Sequence, residues 1–250
     1  MAKVVAIIQA RMDSTRLPGK VARLLVGKPL LAHIIARVKR TAEINEIVVA
    51  TTTRASDDRV AEIARQEGIG LYRGSESDVL SRYLAAGQQF NADIVARITG
   101  DCPLIDPVTI DRAIKSFSEA QVDYLRLDLD EAGYPRGLDV EVFYYQTLIR
   151  AAELIKKEGF QDDKPYREHV TLYIYHHPEK FRIFWLNPPG MLARNYRLCV
   201  DEALDFQLIE EIYKNLYRAG DIIDINTAID FLDHNPTLGA LNQSVEQKKF

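Results

Sequence analysis

Val4 to Ile8 form an unbroken apolar run closed by a turn, the pattern of a strand buried on both faces. Leu30, Leu31, Ile34, Ile35 and Val38 then recur at helical spacing, and Glu46 to Thr51 reads as a second strand. Ser56-Asp57-Asp58 offers a cap for a helix containing Val60 and Ile63, with Gly68 placed to end it. A short strand over Ile69 to Tyr72 and a helix from about Ser77 to Phe90 follow. Asp93 to Ile98 is a further strand, Asp106-Pro107 opens a helix carrying Ile110, Ile114 and Phe117, and Val122 to Leu127 is again strand-like. Strands alternating with helices predict an α/β fold: a mostly parallel twisted sheet with helices on both faces.

Beyond residue 128 the rhythm changes. Asp128 to Gly137 is turn-rich and charged, and LDVEVFYY after it alternates like a half-buried strand. Helices are expected near Gln146 to Glu158 and Pro165 to His177, with strands at Phe181 to Leu186 and Arg197 to Val200. A strongly amphipathic helix closes the pattern from Glu202 to Ala219. The chain reads as a single domain over 1–250, with about 130–195 an α+β insertion in the main sheet.

Composition narrows the function classes. A net charge of −4 leaves no global basic field to recruit a nucleic-acid backbone. Two cysteines, Cys102 and Cys199, make neither a disulfide framework nor a zinc site, which fits a reducing cytoplasm. The first apolar run is too short for a signal peptide, and no later run is long enough to enter a membrane.

The densest chemistry lies in QARMDSTRLPGK, residues 9–20, just past the first buried strand. Ligands in open α/β sheets bind outside the carboxyl ends of strands. There Arg11, Arg16 and Lys20 supply cations, Ser14 supplies a hydroxyl, and Pro18-Gly19 makes a turn, a composition suited to phosphate oxygens. The spacings of a P-loop and of a dinucleotide fingerprint are both absent. A solvated basic loop is the alternative.

Asp101 and Asp201 each follow a predicted strand and are candidates to converge on one cation. Two carboxylates about 4 Å apart repel by roughly 4 kcal/mol at an effective dielectric of 20, so such a pair implies a bound cation or a shared proton. Asp101 capping its own turn is the alternative. Asp139 and Glu141 share one face of a strand, suited to metal or sugar hydroxyls, or else a solvent-facing edge. Arg136 is a candidate for a sugar carboxylate. His169 is a candidate acceptor contact or an ordinary structural histidine. The loops holding Thr51 and Ser75 to Asp78 should open onto the same crevice, with helix capping the other reading of Asp78. Asp205 is expected to be structural or to support a neighbouring site residue.

Three separated segments carry a resemblance: Ile7 to Lys20, Arg97 to Pro107 (RITGDCPLIDP) and Arg197 to Phe206. In this order they resemble the cytidylyltransferase family, whose signature A-R-x-x-S-T-R-L-P-G-K stands at residues 10–20. That family includes enzymes activating 3-deoxy-manno-octulosonate and acylneuraminates; the likeness is strongest to its spore-coat polysaccharide group. The resemblance implies a nucleotide-diphospho-sugar transferase-like fold and transfer of CMP from CTP, or another nucleoside triphosphate, to a sugar or sugar acid. It further implies Mg²⁺ on Asp101 and Asp201, and nucleotide contacts from Ala10, Arg11, Ser14, Arg16, Gly19, Lys20, Thr51, Ser75, Asp78 and Asp101. Arg11, Lys20, Asp101 and Asp201 would be catalytic, and a homodimer through the insertion is implied. The rivals are a glycosyltransferase, for which Asp128-Leu129-Asp130 superficially offers an Asp-x-Asp motif, and a non-catalytic nucleotide-binding protein of the same fold.

Overall fold

The computed structural model describes residues 2–129 and 133–246. The first half delivers the predicted βα alternation. In order come β1 (Val4–Gln9), the short hairpin β2 (Leu24–Leu25) and β3 (Lys28–Pro29), α1 (Leu30–Val38), β4 (Glu46–Thr52) and α2 (Asp58–Gln66). They are followed by β5 (Gly70–Gly74), α3 (Val79–Gln89), β6 (Ile94–Thr99), α4 (Pro107–Ala120) and β7 (Tyr124–Leu127). The second half contributes β8 (Glu141–Tyr144), α5 (Tyr145–Lys157), α6 (Lys164–Glu168), α7 (Leu172–His176), β9 (Ile183–Leu186), α8 (Ala203–Leu216), α9 (Ile225–Asp233) and α10 (Pro236–Gly239). Among the described residues no helix is long and apolar enough to cross a membrane.

Seven of these strands form one sheet in the order β5-β4-β1-β6-β8-β7-β9. All neighbours are parallel except β8, which runs antiparallel to both β6 and β7. The carboxyl ends of six strands therefore share one side with the amino end of β8. That reversal brings Glu141, the first residue of β8, and Asp139 just before it to the side where the parallel strands end.

Side chains alternate between two cores, as a sheet covered on both faces requires. One core joins Val4, Ala6 and Ile8 of β1 to α1, α2, α4, α8 and α9. The other joins Val5 and Ile7 to α3, α5 and the α6–α7 region. Helix starts follow their capping chemistry in places: Asp106 accepts from Thr109 N with Pro107 in the first turn, and Asp224 accepts from Thr227 N. Asp57 does not cap α2; its carboxylate accepts from Met12 N at 2.6 Å and from the Thr52 hydroxyl, tying the loop after β1 to the loop after β4.

Several expected boundaries move. The helix predicted over Pro165 to His177 is two short helices broken at 169–171. The break releases the Thr171 hydroxyl to donate to Glu141 Oε2 at 2.6 Å, a buried acceptor that outweighs continued helix. LDVEVFYY is strand only over Glu141–Tyr144, because Asp139 turns back to accept from Gly137 N at 2.6 Å. Arg197 to Val200 forms no strand of the sheet. It lies extended beside the chain at Arg136, with one bridge and Leu198 N donating to Arg136 O at 2.6 Å. Gly137, at φ +100°, permits that approach, since a Cβ there would come within 2.4 Å of the Leu198 carbonyl carbon. The last amphipathic helix stops at Leu216, short of Ala219, and α9 and α10 follow it.

Candidate active site

A cleft of about 400 Å³ opens at the carboxyl ends of the parallel strands, where β1 and β6 lie side by side. The loop leaving β1 is held by its own backbone: Ser14 N and Gly19 N both donate to Met12 O, at 2.9 and 2.8 Å. Gly19, at φ +71°, then reverses the chain into a single 3₁₀ turn that aims Lys20 inward.

The Lys20 ammonium donates to Asp101 Oδ2 at 2.9 Å, Asp201 Oδ1 at 2.9 Å and Val200 O at 2.7 Å. Burial alone would lower its pKa, but the two carboxylates override that and raise it. Burial likewise acts to raise the Asp101 carboxyl, yet Lys20, with hydrogen bonds from Thr99 and Cys102, brings it down to about 2. Asp101 follows β6, and Asp201 follows the extended segment 197–200. The other oxygen of Asp201 takes Arg16 at 2.9 Å and Arg197 at 2.7 Å.

Asp205 stands behind this cluster, fully buried. It accepts from Arg197 Nε, Asn242 Nδ2 and the backbone N–H groups of Asp201 and Glu202, so it fixes the loop that presents Asp201. Asp205 is thus structural, as its place in the sequence suggested.

Two further cations line the cleft. Arg11 has no carboxylate partner among the described residues. Arg82 is 3% exposed, its NH1 donates to Ser75 O at 2.8 Å, and its Nε is buried without a partner. Burial holds the Arg82 pKa below the ordinary arginine value, and the neighbouring charge of Arg11 acts in the same direction.

The rest of the lining is differently furnished. Arg97 NH1 pairs with Glu141 Oε1 at 2.6 Å, and its NH2 reaches Gln9 Oε1 at 3.3 Å. Burial would raise the Glu141 carboxyl, but Arg97 and Arg126 together with the Thr171 hydroxyl hold it below the usual range. Among the described residues Asp139 has no such cation in hydrogen-bond contact, and burial raises its pKa. Arg136, Glu168 and His169 complete this wall, and burial, followed by the charge of Arg97, lowers the His169 pKa. Cys102 and Cys199 also border the cleft, but burial pushes both thiols well up, which makes them poor nucleophiles.

The structure therefore gathers Ala10, Arg11, Ser14, Arg16, Lys20, Asp101, Arg136, Asp139, Glu141, His169 and Asp201 around one cleft. Gly19, Thr51, Ser75 and Asp78 stand outside its lining. Thr51 is wholly buried in β4, with its hydroxyl unpartnered. Ser75 serves Asp78 N and Arg82 through its hydroxyl and carbonyl. Asp78 caps α3 through Ser81 N at 2.8 Å and accepts from Arg167 Nε at 3.3 Å. Asp130 of the superficial Asp-x-Asp motif lies outside the described residues.

Sequence reasoning missed Arg82, Arg97, Gln9 and Thr99. A charged residue inside the otherwise apolar strand DIVARI was the available signal for Arg97, since a buried arginine demands a partner. Nothing in the sequence marked Arg82, whose importance depends on which helix face meets the sheet.

The donor set at Asp101 and Asp201 fits a hard cation. Both are oxygen ligands aimed at one point, and Mg²⁺ characteristically takes one or two carboxylates and fills its shell with phosphate and water. Among the described residues no group of three or more His, Cys, Asp or Glu side chains forms a complete metal cage.

The cytidylyltransferase family model matches residues 5–225 of the chain. The chain is 37% identical over 249 residues to an uncharacterized protein of Methanocaldococcus jannaschii, covering 99% of this chain and 98% of that one. It is 33% identical over 243 residues to the spore coat polysaccharide biosynthesis protein SpsF of Bacillus subtilis, covering 94% and 96%. The solved structure of a cytidylyltransferase from Leptospira borgpetersenii superposes with a TM-score of 0.86 at 30% identity, over all of both chains. The chain belongs to the cytidylyltransferase family, and it is a CTP-utilising nucleotidyltransferase.

Proposed function

We propose that this protein transfers CMP from CTP to a hydroxyl of a sugar or sugar acid and releases pyrophosphate, supplying an activated sugar for a surface polysaccharide. The observation that carries the reading is the cluster of Asp101 and Asp201 on Lys20, in one cleft with Arg11, Arg16 and Arg82. The lining thus holds cations for a triphosphate together with mixed polar groups for an acceptor. The name of the Bacillus subtilis relative supports the polysaccharide setting.

In this reading Arg11, Arg16 and Arg82 bind the phosphates, and Ser14 and the backbone at Ala10 orient them. A bound divalent cation, Mg²⁺ by this proposal, held by Asp101 and Asp201, supplies Lewis-acid neutralisation of the phosphates. The acceptor hydroxyl attacks the α-phosphorus in line and gives up its proton to solvent, the bond from the α-phosphorus to the pyrophosphate oxygen breaks, and the arginines stabilise the charge that leaves. His169, whose pKa burial lowers, would contact the acceptor. Arg136 would take a sugar carboxylate, and Asp139 and Glu168 sugar hydroxyls. The edge strand β9 exposes Phe184 and Trp185, which supports segment 130–195 as the contact of a homodimer.

The deciding experiment measures pyrophosphate release with Mg²⁺, scanning CTP, UTP, ATP and GTP against sugar acids, amino sugars and sugar phosphates. Acceptor-dependent release from CTP is expected. Silence across the panel together with turnover of a ready-made nucleotide sugar would replace this reading with a glycosyltransferase.

A further inference from the structure

Lysine carries three donors, and all three of Lys20 are spent inside the cluster, on Asp101, Asp201 and the Val200 carbonyl. None is left for a phosphate. The ammonium also stands where the carboxylate pair would hold a cation. Asp201 Oδ2 is already shared by Arg16 and Arg197, so the oxygen of Asp201 left to bind a cation is Oδ1, the one 2.9 Å from Lys20 Nζ. A Mg²⁺ ion about 2.1 Å from that oxygen and from Asp101 Oδ2 would stand within about 4 Å of the ammonium, where the like charges repel. Nor does the pair present an uncompensated charge to a free cation, because Lys20, Arg16 and Arg197 already neutralise it.

From this geometry we infer that Lys20 is an internal plug for the metal position, which makes metal uptake conditional on nucleotide. In the ligand-free protein the ammonium joins the two carboxylates. A triphosphate bound by Arg11, Arg16 and Arg82 draws the ammonium onto its own oxygens, which the four-carbon stem allows with the backbone at Gly19 and Lys20 unmoved. Only then are Asp101 Oδ2 and Asp201 Oδ1 released to a divalent ion, so metal enters with the nucleotide or after it. The inference rests on the proposed reading of Asp101 and Asp201 as metal ligands, and it adds a positioning role for Lys20 in the ligand-free state.

The test is titration with Mn²⁺ alone, without nucleotide, followed by electron paramagnetic resonance of the free ion. The unaltered protein is expected to take up Mn²⁺ only weakly. Lys20→Gln, which removes the plug and its like charge beside the site, should bind it more tightly by roughly tenfold or more. Lys20→Arg, which keeps a cation in the gap, should show no such gain, and Asp101→Asn added to Lys20→Gln should abolish it. Thermal melting of the unaltered protein gives a second measurement that needs no variant to fold: Mn²⁺ alone leaves the midpoint in place, while Mn²⁺ with a non-hydrolysable CTP analogue raises it beyond the analogue alone. Tight Mn²⁺ uptake by the unaltered protein without nucleotide, or no gain in a folded Lys20→Gln, overturns the inference. Failure of CMP transfer would instead strike the proposed function, since none of these readouts requires turnover.

Discussion

The Lys20–Asp101–Asp201 cluster is carried by loops, whereas Arg97 and Glu141, in the same cleft, are paired in register on the neighbouring strands β6 and β8. Both are largely buried ion pairs with short contacts, but their backbones differ in freedom. Arg97 and Glu141 are fixed by ladder hydrogen bonds, and Thr171 holds the second oxygen of Glu141. The row continues across the sheet to Arg126, which lies between the rings of Tyr175 and Trp185 at 4.9 and 4.7 Å. Such a pair cannot exchange partners without disturbing the sheet, so it serves as a wall. Lys20 reaches its carboxylates on a flexible stem from a turn, and its contacts can be traded for ligand contacts at small structural cost. Where a side chain is anchored therefore separates the groups that work on a ligand from those that shape its container.

The sharpest break in this comparison comes from Asp101→Asn, which should lower kcat/KM for CMP transfer by about 10³-fold while the protein stays folded. Steady-state pyrophosphate release, with circular dichroism as a folding control, checks both halves. Glu141→Gln should do the reverse. It leaves Arg97 buried without its counter-ion and should cost about 3 kcal/mol in urea unfolding, more than any change in the affinity for CTP.

Acid titration sharpens the contrast further. The Asp101 carboxyl lies below its ordinary value in the folded state, so its contribution is fully present above about pH 4 and is lost as pH falls through about 2. That contribution is about 2 kcal/mol, and Lys20→Gln should flatten this part of the stability–pH curve between pH 4 and 2. Loss of the α4 cap in Asp106→Ala should cost about 1 kcal/mol by the same urea assay. Thr51→Val should raise stability by up to about 1 kcal/mol, because it removes a buried hydroxyl that has no partner.

Much of the site was legible because of where the motifs stand. Arg11, Arg16 and Lys20 follow the first buried strand and Asp101 follows β6, so a parallel sheet alone places them on one crevice. Asp201 was found for a weaker reason. The segment before it makes no strand of the sheet, and its approach depends on Gly137 and the Arg136–Arg197 bridge. Thr51 shows the limit of the rule, since a residue near a strand's carboxyl end can still point into a core.

The sequence by itself determined the βα rhythm, the two-sided core and the chemistry available in the loops, because hydrophobic period and turn residues act over short chain distances. Tertiary structure alone decided which charges were already spent. Whether Lys20 meets a phosphate or two carboxylates, and whether Arg97 is free or paired, depends on residues 81, 181 and 44 positions away. The antiparallel insertion of β8 between β6 and β7 was decided in the same way, because strand pairing is set by which surfaces pack together, a quantity that no local window of sequence contains.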